Sequence, residues 1–104
     1  MEIIWLPLAE DALDNIFYFY AENNVSAARK IIANIKREVE CLSLFPEMAA
    51  KELLLEDYPQ NFRSLVIKHH HKAVYFIENN TIYIADVWDC RQNPDDLQNR
   101  IITN

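Results

Sequence analysis

No glycine occurs anywhere in the 104 residues of this chain, and few single features restrict a fold more. Every backbone position with positive φ must then be filled by a residue that carries a Cβ, and Asn and Asp tolerate that region best because their short polar side chains bond locally. Asparagine should therefore make the turns, and the pairs Asn23-Asn24 and Asn79-Asn80 stand between patterned segments.

Those segments read in order. The stretch EIIWL at residues 2–6 predicts a short strand stopped by Pro7. Ala9, Ala12, Leu13, Ile16, Phe17 and Tyr20 then recur at helical spacing, with Glu10, Asp11, Asp14 and Glu22 on the other face. After Asn23-Asn24, with Asn24 or Ser26 as cap, a second helix carries the stripe Ala28, Ile31, Ile32, Ile35, Val39 and Leu42 until Pro46. A variable connection, MAAKELLLEDYPQ, leads to three β-rich runs: Phe62 to Lys68, Lys72 to Glu78 and Thr81 to Trp88. Asn79-Asn80 between the last two predicts a two-residue hairpin turn with both residues at positive φ. Asn93-Pro94-Asp95-Asp96 has the form of a helix start, with a capping Asn and proline at the first helical position. The pattern predicts a single α+β domain over 1–104: an N-terminal strand, a helical hairpin packed on one face of an antiparallel sheet, and a short C-terminal helix. The other sheet face should be left available to a partner, with Val74 or Phe76 exposed on it.

Ten basic against sixteen acidic residues give a formal net charge of −6, which disfavours broad binding to a phosphate backbone. Cys41 and Cys90 lie far apart with no close-spaced partner, so neither a disulfide framework nor a cysteine zinc site is indicated. The start MEIIWLPLAED lacks a basic lead and no apolar run reaches the length of a membrane span, so a cytoplasmic protein with no membrane partner is expected.

His69, His70 and His71 stand in a row between two strand-like runs. Alternation along a strand would point His69 and His71 one way and His70 the other, so three consecutive ligands cannot close on one ion. Cys90 and Asp89 are candidates for outside help that nothing in the sequence fixes nearby. A polar hairpin tip with no metal and no cofactor is the expectation, and chelators should leave stability unchanged. Neither a glycine-flanked serine nor a phosphate loop is present, which leaves the catalytic residues unassigned. Arg63, Lys72 and Arg91 sit in or just after the three β runs, where they would form a cationic cluster if neighbouring strands bring them together. Alternatively each pairs with Asp86, Asp89 or Glu78. Trp88 is either core packing or part of a binding surface beside arginine.

The ordered set LAEDALDNIFYFYAEN, SAARKIIANIKREVECLSLFPEM, FRSLV, AVYFIENNTIYIADV and DCRQNPDDL resembles the RelE/ParE superfamily, the toxins of type II toxin–antitoxin and plasmid stabilisation modules. Met48 and Ala49 stand where the family commonly has a glycine after the proline. RelE-like members cut mRNA on the ribosome with several strand-borne basic residues and a C-terminal tyrosine. Arg63 and Lys72 fall at two of those basic positions, Arg91 is near a third, Leu65 replaces another, and no tyrosine follows Tyr83. The resemblance to ParE-like members is better. It implies a non-enzymatic, protein-binding inhibitor of DNA gyrase neutralised by a cognate antitoxin. Homodimerisation is the fallback for covering the free sheet face. A ribosome-dependent endoribonuclease acting on mRNA, or an inactive antitoxin-binding member, is the alternative. Arg63, Lys72, Trp88 and Arg91 are the candidates for contact with target or antitoxin.

Overall fold

The computed structural model describes residues 1–68, 70–91 and 94–103. The direction expected for His69 and the cap expected of Asn93 lie outside the described residues. Among these residues five strands and three helices follow one another as β1 (Glu2–Trp5), α1 (Pro7–Ala21), α2 (Val25–Glu40), β2 (Ala50–Lys51), β3 (Arg63–Ile67), β4 (His71–Glu78), β5 (Thr81–Asp89) and α3 (Pro94–Thr103), with 3₁₀ turns at Cys41–Ser43 and Leu53–Leu55. The sheet order is β1-β5-β4-β3-β2.

Among the described residues, positive φ occurs at Asn61, Asn79 and Asn80, at 57°, 52° and 60°. Asparagine thus takes each left-handed position, and the Asn79-Asn80 pair closes the β4–β5 hairpin as its φ values require. Asn24 works differently: its backbone is extended, and its side chain accepts a hydrogen bond from the Ala27 amide at 3.0 Å, capping α2. Leu42 falls in the 3₁₀ turn that tightens the end of α2 and remains fully buried.

The hairpins β3–β4 and β4–β5 are antiparallel, but β1 joins β5 in parallel, from Glu2 opposite Thr81 to Trp5 opposite Ile84. The sheet is therefore mixed, where the hairpin signals alone predict an antiparallel one. A strand with no short loop to its neighbour has no turn to set its direction. Opposite Val74 and Tyr75 the register on β5 jumps from Asp86 to Ile84, so Ala85 is an extra residue and β5 bulges there.

Two cores result. Leu65, Ile67, Tyr75, Ile82, Ile84 and Val87 meet Ala9, Leu13, Ile35 and Val39 of the helical hairpin. On the opposite face Val74, Ala85 and Trp88 meet Phe62, Leu55 and Leu97 of α3. This corrects the expectation of an open second face: Val74 is fully buried and Phe76 packs at the edge of the cluster. The connection that reads as variable turns back over the sheet, and α3 completes the cover. Exposed apolar side chains lie elsewhere, with Leu44, Phe45 and Met48 after α2 and Leu53 and Val66 near the β2 edge. No described helix is long and apolar enough to cross a membrane.

Candidate functional site

Strand register decides where the cations go. Arg63 shares a face with Leu65 and Ile67 and lies opposite Tyr75, on the helix side, whereas Lys72 lies opposite Trp88, on the α3 side. They do not form one cluster. Arg63 donates to the carbonyls of Ala49 at 2.6 Å and Glu47 at 3.3 Å, while the Tyr75 hydroxyl donates to the Pro46 carbonyl at 2.7 Å. Together these tie the chain after α2 to the sheet. Burial raises the Tyr75 hydroxyl above its ordinary pKa, so it stays a neutral donor. Lys72 forms an ion pair with Glu52, with side chains only 14% and 10% exposed. Leu65 is buried in the helix-side core.

Trp88 is also core, and the Arg100 guanidinium from α3 sits 5.4 Å from its ring centre. Arg100 donates at 2.9 Å to Asp86, which is fully buried beside the bulge. Burial pushes the Asp86 carboxyl up to about 6 despite that guanidinium. Because its folded pKa lies above the ordinary 3.8, the folded state holds the extra proton between about pH 4 and 6. Stability from this group is present at the acid end and lost as pH rises through 6. The wild type should therefore gain about 1 kcal/mol relative to Asp86→Asn between pH 7 and pH 5, which denaturant titrations of both proteins at the two pH values will measure.

A dense polar grouping lies where α1 ends against the start of β4 and the end of β5. His71 faces Asp89 across the strands, and the Cys90 amide donates to the His70 carbonyl at 2.6 Å. Tyr20, from the last turn of α1, has its hydroxyl 2.9 Å from Nε2 of His70. Arg91 grips Asp89 with Nε at 3.0 Å and a terminal nitrogen at 2.6 Å. That bond is the main reason the Asp89 carboxyl titrates at about 2. A cleft of about 240 Å³ opens here, lined among others by Asn15, Tyr20, His71, Asp89, Arg91 and Arg100.

His70 lies in the turn and β4 begins at His71, so strand alternation does not separate them: their ring centres are 4.5 Å apart. Ligand atoms of His70, His71 and Asp89 all fall within 4.8 Å of one another. The outside help that the sequence leaves unplaced is thus supplied by Asp89, through cross-strand register. Tyr20, Glu52 and Arg100 are the residues that sequence reasoning misses. Tyr20 sits in the apolar stripe of α1 and gives no separate signal, and the other two depend on segments whose docking no periodicity encodes.

The fold has a known counterpart. A chain of the chromosomal ParDE TA system from P. aeruginosa superposes with a TM-score of 0.72 at 21% identity, over 86% of this chain and 95% of that one. No curated protein sequence matches this chain. The family model for the ParE toxin of the type II toxin-antitoxin system, parDE, matches residues 3–94. The protein is therefore a member of the ParE toxin family.

Proposed function

We propose that this chain poisons DNA gyrase by protein contact and is held inactive by a cognate antitoxin. The observation that carries this reading is the family match over residues 3–94. The state of the basic residues supports it. In-line cleavage of RNA needs cations held ready for the developing phosphate charge and groups to move protons. Lys72 is committed to Glu52, Arg63 to backbone carbonyls, and Leu65 occupies the core where a further cation would be needed. Arg91, 58% exposed at its side chain, is the candidate that reaches solvent.

An antitoxin segment has a surface suited to it. The edge strand β2 lies beside the exposed Leu44, Phe45 and Met48, and apolar groups next to an open sheet edge fit an added strand or an amphipathic helix. The test is induction in cells carrying reporters for DNA damage and for mRNA integrity, with supercoiling by purified gyrase as the direct assay. DNA damage with intact mRNA is the expected result, weakened in Arg91→Ala without loss of fold. Ribosome-dependent mRNA cuts would overturn the gyrase target, and a harmless chain would leave antitoxin binding as its whole role.

A further inference from the structure

We propose that His70, His71 and Asp89 form a binding site for one divalent transition-metal ion of the zinc class. Two imidazoles and one carboxylate are a donor set that suits zinc, cobalt or nickel better than magnesium or calcium, which prefer oxygen alone. The three ligand atoms lie within 4.8 Å of one another. In a tetrahedral zinc site with bonds of roughly 2.1 Å, two ligand atoms stand about 3.4 Å apart. The three side chains need to close by up to about 1.4 Å, a shift that χ rotation of the imidazoles and the carboxylate supplies. A solvent molecule would complete the coordination.

Two further observations favour this corner. Asp89 is fixed opposite His71 by backbone pairing, so two of the ligands do not depend on a loose loop. The Tyr20 hydroxyl, 2.9 Å from Nε2 of His70, can orient that ring, the role that outer hydrogen bonds play at metal-bound histidines. Arg91 is the competitor. It holds the Asp89 carboxylate through two nitrogens, a contact the ion has to displace, and its 58% exposed side chain has solvent to swing into.

The competition yields a test with two opposite signs. Untagged protein would be titrated with zinc in a calorimeter and with cobalt by visible absorption. One ion per chain is expected. Affinity should fall at least about tenfold in His71→Ala and in Asp89→Asn, and rise in Arg91→Ala, which frees the carboxylate. His70→Ala, altered in a turn, provides a second loss-of-ligand variant should His71→Ala fail to fold. The Asp89→Asn arm separates this site from simple capture by consecutive histidines, which needs no carboxylate. Absence of stoichiometric binding, or affinity unchanged in Asp89→Asn, overturns the proposal.

Discussion

Lys72→Ala should destabilise the protein by about 3 kcal/mol, far beyond the roughly 0.5 kcal/mol typical of surface positions. The reason is the partner left behind. Glu52 is buried, and its amide donates to the Phe62 carbonyl at 2.8 Å, so its backbone cannot readily carry the carboxylate back to water. Removing Lys72 strands that charge, whereas removing both charges together leaves nothing to compensate. The double variant Glu52→Gln/Lys72→Met should accordingly recover most of the loss. Urea unfolding of the two single variants and the double variant gives the coupling directly. Three variants of equal and small effect would show that the pair is as solvent-screened as an ordinary surface contact.

Arg100→Ala is the second large effect, about 2 kcal/mol, seen as a fall of roughly 10 °C in melting temperature. The guanidinium does two things at once: it compensates the buried Asp86, and it covers the Trp88 ring. Because Arg100 is itself 35% exposed, the figure lies below that for a fully enclosed pair. Loss of Arg100 also removes the main influence holding the Asp86 carboxyl down, so the acid-side gain in stability should extend to higher pH. Adding Asp86→Asn should abolish that extension. If Arg100→Ala melts with the wild type at pH 7, then α3 is not anchored by this contact.

Much of the architecture is legible in the sequence because it is local. Helical stripes, strand alternation and the Asn79-Asn80 turn each draw on residues a few positions apart, and asparagine at the left-handed positions of the described residues follows from the missing glycines. What escapes is long-range. Glu52 stands in a segment without periodicity, so nothing predicts that it would answer Lys72. Arg100 reaches Asp86 only because a β-bulge at Ala85 and the return of α3 bring them together. The corner formed by Tyr20, His70, His71 and Asp89 was half visible, since the histidine row is conspicuous. Its carboxylate is assigned only by the register of β4 against β5.

The parallel seat of β1 also orders events in time. Glu2 pairs with Thr81 and Trp5 with Ile84, so the first strand of the chain cannot find its place until nearly the last strand exists. At a synthesis rate of about 5–20 residues per second, that is a wait of several seconds. The α1–α2 pair and the β4–β5 ribbon close short loops and can form early, while β1 must pay the entropy of the longest one. Until β1 docks, β5 has an open edge, and Ile3 and Trp5 have not yet reached the core beside which they finally pack. The newborn chain thus passes through a stage in which its helices and hairpin are made but its sheet is one strand short.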